Sequence, residues 1–339
     1  MSLLWVTFLI VPFLFLILIV LLVFILLPLI IARSPYLLRK TLFNTGGAAT
    51  NKLYYDENAK LGVRNFYVTI PSNTSEEITI GIYHFLPQYY VLNHTEKIPL
   101  EEYKELLHNS PYNVLLIFHG IGQSRASFSD KYGILSRIFH VIVFDYRCFG
   151  DSTKAELTEN GLISDCVLVY KWLRNNTSSS IYVWGQSLGS VLCVNTVFTL
   201  EKENIIPKGM IIESGFTSIR DAVLDSPLGK ISSWTPWFSL LLESYEKNGL
   251  CLNTIMPLSD IKCPVMIMHA ADDKMIPLKQ GMQLYEVVMN RSIKVNIAKF
   301  LPIAAMYECG HDFIYEFPAF SKHIVDFIST CEKEFDSTI

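Results

Sequence analysis

Residues 180–190 read Ser-Ile-Tyr-Val-Trp-Gly-Gln-Ser-Leu-Gly-Ser, and the fold follows from how this stretch is divided. Ile181 to Trp184 is a short apolar run of buried-strand type. Gly185-Gln186-Ser187-Leu188-Gly189 is a G-x-S-x-G turn, and Val191 to Leu200 continues with helical character. Strand, sharp turn and helix in that order form a nucleophile elbow, which lifts its serine onto the edge of a parallel sheet. The turn is so tight that side chains two before and two after Ser187 would collide, so both positions, Gly185 and Gly189, are glycine. The backbone N–H of Leu188, at the start of the helix, is placed to donate to a developing oxyanion, and the helix N-terminus favours negative charge there.

Apolar strand-like runs at Val114–Phe118, Val141–Phe144, Met210–Ile212 and Val265–Met268 flank this stretch, separated by helical patterns at Ser127–Phe139 and Gly161–Arg174. Such alternation predicts an α/β fold with a mostly parallel sheet covered by helices on both faces. Ahead of it, Gly62–Ile70 and Ile78–Phe85 alternate apolar with polar, as an antiparallel pair does. Glu101 to His108 reads as a short helix in a polar excursion. Residues 216–260 interrupt the alternation between two core strands with Trp234, Trp237, Phe238 and Leu240–Leu242. We read them as a cap over the site, with Trp234 and Trp237 binding substrate; a helix packed on the sheet edge is the alternative.

A serine nucleophile needs a base, and the base needs an orienting carboxylate. In this architecture the chain order is Ser, acid, His. The strand ending at His269 runs into Ala-Ala-Asp-Asp-Lys-Met-Ile-Pro at 270–277. Asp273 heads a D-x-x-I-P spacing and is taken as the acid, leaving Asp272 as a solvated loop carboxylate. Cys309-Gly310-His311 follows the last strand position and opens the final helix, so His311 is taken as the base. His323 lies in the amphipathic 313–331 segment and is read as a surface residue, and His119 and His269 are read as structural. The second oxyanion donor belongs to the loop His119-Gly120-Ile121-Gly122, and by position it is the N–H of Ile121. Asp145 and Arg147 are expected to fix loops.

The chain has 339 residues, half of them hydrophobic, and a formal net charge of −4. It has no basic block, which argues against nucleic acid as a partner. Its seven cysteines are dispersed without a C-x-x-C pair, so no zinc site is expected, and no metal or cofactor is implied. Residues 1–32 carry no charged side chain. A span needs about 20 apolar residues, and a signal peptide has a shorter apolar core behind a basic segment. This run is therefore read as a retained single-pass anchor in the bilayer. Residues 33–60 are read as a juxtamembrane linker, in which Tyr36, Leu37, Leu38, Leu42 and Phe43 could equally lie in the interface. Residues 61–339 are the catalytic domain, carrying the cap at 216–260. Orientation is signalled two ways. Arg33, Arg39 and Lys40 favour a cytosolic domain, whereas the sequons at Asn73, Asn93, Asn175, Asn176 and Asn290 matter only in a lumen.

With these pieces assembled the chain resembles the α/β-hydrolases. More narrowly, it resembles the membrane lysophospholipid and monoacylglycerol lipases of the α/β-hydrolase-domain-containing protein 12 family. The resemblance rests on HG at 119–120, FDYRCFGDS at 144–152, YVWGQSLG at 182–189, IIESGFTSIRDA at 211–222, IKCPVMIMHAADD at 261–273 and the loop around His311. The loop 119–125 and the stretch 294–306 depart from the family. The resemblance implies a serine hydrolase of the endoplasmic-reticulum membrane with a lumenal domain, cleaving acyl esters of lysophosphatidylserine-like lysophospholipids or of monoacylglycerols. The same machinery would serve a protein depalmitoylase, and a catalytically dead membrane scaffold is the reading from another class.

Overall fold

The computed structural model describes residues 3–45, 61–71, 77–94, 98–293 and 297–335. The sequons at Asn73 and Asn93 fall wholly or partly outside them. Eight strands form one sheet in the order β1-β2-β4-β3-β5-β6-β7-β8. The strands are β1 (Val63–Ile70), β2 (Ile78–Phe85), β3 (Asn113–Phe118), β4 (Phe139–Phe144), β5 (Ile181–Gln186), β6 (Gly209–Glu213), β7 (Val265–Ala270) and β8 (Ala298–Ile303). The first two pair antiparallel, with Val63 opposite Phe85, and β2 joins β4 antiparallel. From β4 to β8 every pairing is parallel.

Parallel strands need crossovers, and helices supply them on both faces. The helices α4 (Gln88–Leu92) and α5 (Leu100–His108) lie between β2 and β3, α7 (Glu159–Asn175) between β4 and β5, and α13 (Leu278–Met289) between β7 and β8. The two-residue period of a strand sends alternate side chains into two cores. Val114, Leu116, Ile181 and Val183 enter one. Leu115, Ile117, Tyr182 and Trp184 enter the other. The helix α8 (Leu188–Lys202) lies against β5, apolar on nearly every side and buried almost throughout.

The structure departs from the sequence reading at several points. The helix expected over 127–139 is only Ser129–Leu135 (α6), and β4 starts at Phe139, two residues earlier than the apolar run suggested. The strand β8 escaped notice because Lys299 and Pro302 break its apolar run. His311 does not open the final helix. It sits in a turn, and α14 (Phe320–Thr330) begins nine residues later. His323, expected at the surface, is half-buried in α14 with its ring stacked on Phe317.

The N-terminal helical run comprises α1 (Leu3–Leu21), a π-helical turn (Leu22–Leu26) and α2 (Leu27–Arg33). Within it Ile10–Arg33, 24 residues of mean hydropathy 3.6, is long and apolar enough to cross a membrane. The segment read as linker then makes α3 (Pro35–Phe43). Its start is chemically specified, with Ser34 as N-cap accepting the Leu37 N–H at 3.3 Å and Pro35 at the first helical position. It ends at Asn44 in the left-handed region. Leu38, Leu42 and Phe43 are buried in the larger core, so they face protein and not lipid. Between β6 and β7, the expected cap consists of α9 (Ile219–Asp225), α10 (Pro227–Ser232), α11 (Pro236–Lys247) and α12 (Ile255–Asp260). The helix α11 packs along α2.

Candidate active site

Ser187 stands between the last residue of β5 and the first of α8 with φ 52° and ψ −119°. A side-chain-bearing residue in that region costs about 1–3 kcal/mol and persists only where its surroundings impose it. Here the Ser187 N–H donates to the Glu213 carbonyl on β6 at 3.0 Å. Its own carbonyl accepts the Ser190 hydroxyl at 2.6 Å. The glycines are sterically required. A Cβ on Gly185 would lie 2.4 Å from the Gly189 carbonyl oxygen, and one on Gly189 would lie 2.0 Å from the Phe118 carbonyl oxygen. The second collision is with β3, so Gly189 also sets how closely α8 approaches the sheet.

Asp273 follows β7 and is buried. Its Oδ1 accepts the N–H groups of Met275 and Ile276, each at 2.9 Å. Its Oδ2 lies 2.7 Å from His311 Nδ1 and 3.4 Å from His269 Nε2. Burial alone would push this carboxyl up, but the His269 and His311 hydrogen bonds, the His311 charge and the Ile276 N–H hold it far below the usual carboxylate range. Burial works against charge on His311 too. The Asp273 hydrogen bond and the negative charges of Asp273, Asp312 and Glu213 outweigh it, so the imidazole is held above its ordinary value. Asp272, expected to be merely solvated, is half-buried, and its Oδ2 accepts the N–H of Gly310 at 3.0 Å. It therefore shapes the histidine loop, where Gly310 has φ 54°.

Side-chain amides tie the three loops together. The Gln123 Oε1 accepts the Gly120 N–H at 2.7 Å, and Gln123 Nε2 and Gln186 Nε2 each donate to Asp312 Oδ1 at 3.2 Å. Beneath them the buried Lys131 pairs with Glu213 and donates to Gln186 Oε1 at 3.2 Å, while Trp184 Nε1 donates to Glu213 at 2.7 Å. Asp145 accepts the Arg125 N–H at 2.6 Å and pairs with its guanidinium. Arg147 grips Asp165 through two 2.6 Å bonds. Both fix loops. His119 is buried against Tyr146, and burial together with Arg125 pushes it down to about 4 even though its bond to the Gly120 carbonyl opposes this, so it stays neutral.

Ile121, Ser187 and Leu188 come together on the wall of one cavity of about 460 Å³. Its other walls are apolar, with Phe216, Ile219 and Tyr245 from the segment 216–260, Met275 and Ile276 from the Asp273 loop, and Thr41 and Leu42 from α3. The tryptophans assigned to substrate are elsewhere. Trp234 is 82% exposed at the turn between α10 and α11, and Trp237 packs half-buried beside Phe238. Neither lines this cavity. Composition identified an apolar segment without giving the face each ring takes. The contributions of Leu42 and Gln123 were missed. Ser34-Pro35 was a readable helix start for the first; no sequence signal marks the second.

The sequence pattern of the α/β-hydrolase fold matches residues 113–214. Lysophosphatidylserine lipase ABHD12 of Xenopus tropicalis is 31% identical over 276 residues, covering 80% of this chain and 70% of its own length. That of Danio rerio is 30% identical, covering 78% and 69%. The human protein ABHD12B is 27% identical over 78% of this chain and 72% of its own. The chain belongs to the ABHD12 family. Among solved structures, an esterase of Pyrococcus furiosus aligns at TM-score 0.53 and 14% identity, covering 78% of this chain and 90% of the esterase. A bacterial membrane phospholipase A aligns at 0.52 and 12%, covering 95% and 97%. At such identities these two show the α/β-hydrolase fold. As an ABHD12-family α/β-hydrolase the chain is a carboxylic ester hydrolase.

Proposed function

We propose that this protein is a single-pass membrane serine hydrolase that removes the acyl chain from lysophospholipids or monoacylglycerols. Residues 1–32 form the anchor, and the hydrolase domain of residues 61–339 carries its cap at 216–260. In this reading Ser187 Oγ attacks the ester carbonyl while His311 Nε2 takes its proton. Asp273, bonded to Nδ1, fixes the tautomer and stabilises the imidazolium. The N–H groups of Leu188 and Ile121 hold the oxyanion. His311 returns the proton to the leaving alkoxide. It then deprotonates the water that cleaves the acyl-enzyme.

The observation that carries this reading is the 2.7 Å Asp273–His311 pair at the same sheet edge as Ser187, beside an apolar cavity. A cavity of this size falls in the range of small-molecule sites. It would bury an acyl chain at about 0.8 kcal/mol per CH₂. The ABHD12 relatives are named lysophosphatidylserine lipases, which supports a lysophospholipid with a phosphoserine head group as substrate. The apolar helix Ile10–Arg33 supports a bilayer as partner. The exposed Asn175, Asn176 and Asn290 support a lumenal domain in the endoplasmic reticulum.

A fluorophosphonate probe on the full chain tests the chemistry. Labelling of the protein, lost in Ser187→Ala, is expected together with release of fatty acid from lysophosphatidylserine. Absence of labelling in folded wild type would refute the nucleophile assignment.

A further inference from the structure

The helix α3 lines two cavities. Thr41 and Leu42 belong to the one at Ser187. Ser34, Tyr36, Arg39 and Lys40 line a second, of about 690 Å³, closed on its far side by Cys148 and Lys154–Leu157. The second is lined largely by apolar atoms, but basic side chains reach it. It gathers Arg39, Lys40 and Lys154 against the single carboxylate of Glu156, which takes Arg39 Nη1 at 2.7 Å. Arg39 Nε is buried and has no hydrogen-bond partner among the described residues. A buried guanidinium N–H without an acceptor is costly, and the fork of the same guanidinium, whose side chain is part-exposed, is geometrically suited to phosphate oxygens. Lys40 and Lys154 have no carboxylate partner among the described residues.

Position adds to the chemistry. Ser34 directly follows Arg33, where the apolar helix ends, so a spanning anchor sets this cavity at head-group depth. The other end of α3 reaches the site loop. A Cβ on Gly122 would lie 3.2 Å from Asn44 Nδ2. One rigid helix thus carries the apolar wall beside Ser187, the basic wall and a contact with the Gly120–Gly122 loop.

We infer that the basic cavity between α3 and residues 148–157 receives the phosphodiester head group of an anionic lysophospholipid whose acyl ester is presented to Ser187. This rests on the lysophospholipase reading and extends it. A monoacylglycerol, lacking phosphate, gains nothing from this cavity. It distinguishes the two substrate classes that the catalytic groups alone treat alike.

The test uses the full chain in phosphatidylcholine nanodiscs. Ser187→Ala protein is used for equilibrium binding of lysophosphatidylserine and of monoacylglycerol with the same acyl chain, so that neither is turned over. Adding Arg39→Gln, Lys40→Gln and Lys154→Gln together is expected to weaken lysophosphatidylserine about tenfold or more, while monoacylglycerol stays within about twofold. Lys154→Glu, at an exposed loop position, should do the same in smaller measure without risk to the fold. Equal weakening of both lipids by Lys154→Glu, or of neither by both variants, would overturn the inference. Nanodiscs with added anionic phospholipid distinguish the source of the phosphate. If the variants then weaken both lipids alike, and only there, a bilayer lipid occupies the cavity and the substrate assignment fails. The lipase reading is tested separately, by turnover in the protein with Ser187 intact. Selective loss of lysophosphatidylserine binding with no turnover of either lipid would leave the phosphate site standing and remove the lipase.

Discussion

The two sides of the Ser187 cavity are built on different principles. On the sheet edge, backbone geometry and hydrogen bonds decide each position. Ser187 is held at φ 52°, Gly185 and Gly189 have no room for a Cβ, and Asp273 uses both oxygens. Facing it, α3 and the segment 216–260 form a wall of apolar packing, with Leu42, Phe216 and Tyr245 as filler. A directional network fails when one member is changed, whereas packing degrades in proportion to the volume lost. Changes on the sheet edge should therefore act on turnover in an all-or-none way. Changes in the wall should act in steps, on stability and lipid binding.

The sharpest break between the two sides is expected at the paired aspartates. Asp273→Asn should leave the fold intact and lower kcat by about 10⁴, because the imidazole loses both its tautomer control and its compensating charge. Asp272→Asn keeps an acceptor for the Gly310 N–H and should cost less than about tenfold, roughly 1.4 kcal/mol. Steady-state hydrolysis of a short soluble ester by both variants decides it. Equal losses would mean that His311 is oriented by the loop as much as by Asp273.

The pH profile sharpens the same point. In the proposed mechanism the base works only as neutral imidazole, so kcat/KM should rise with pH as His311 loses its proton. Its pKa is raised by Asp273, Asp312 and Glu213. The rising limb should therefore have its midpoint above the ordinary histidine value of about 6.5. Asp312→Asn removes one of these negative charges and should move the midpoint down. A midpoint that stays put would separate Asp312 from the titration of His311.

How much was legible divides along the same line. The elbow turn, the Asp273–His311 contact and the central strands could be read because each rests on a residue type that the local geometry demands: glycine where no Cβ fits, buried β-runs, a carboxylate just past a strand. Seven of the eight strands, with the parallel centre, follow from those patterns, and β8 does not. The opposite wall was not legible. An apolar side chain in a short helix can face protein, cavity or lipid, and the choice depends on tertiary neighbours far away in sequence. The residues 35–43 show this. Leu38, Leu42 and Phe43 suit an interface by composition, yet they are buried in the hydrolase core.

Phe43 tests whether α3 belongs to the folded body. It is fully buried in the larger core. Phe43→Ala should lower the unfolding free energy by about 3–5 kcal/mol, read as a drop in thermal midpoint of the detergent-solubilised chain. A linker residue would give no such loss. An unchanged midpoint would return residues 35–43 to the status of a tether and leave the cavity without a rigid third side.

The smallest effect is expected at Trp234, where composition alone suggested a large one. Its ring is 82% exposed and lies off the Ser187 cavity, and Ile231 nearby on α10 is 70% exposed. An acyl chain held beside Ser187 gains nothing from a ring in solvent. The ring stands instead on the segment whose helix α11 packs along α2, the last turns of the apolar run. Tryptophan partitions to the membrane–water interface. Trp234→Ala should therefore leave hydrolysis of a short soluble ester unchanged and lower turnover of long-chain lysolipid in bilayers about threefold, roughly 0.65 kcal/mol. The loss should vanish in detergent micelles, where no flat interface has to be met. A tenfold loss in micelles would place Trp234 on the substrate path and imply that the segment 216–260 closes over the cavity when lipid binds. With no loss in either medium, the cap would have no part in meeting the membrane, and α2 with α3 would hold the domain there unaided.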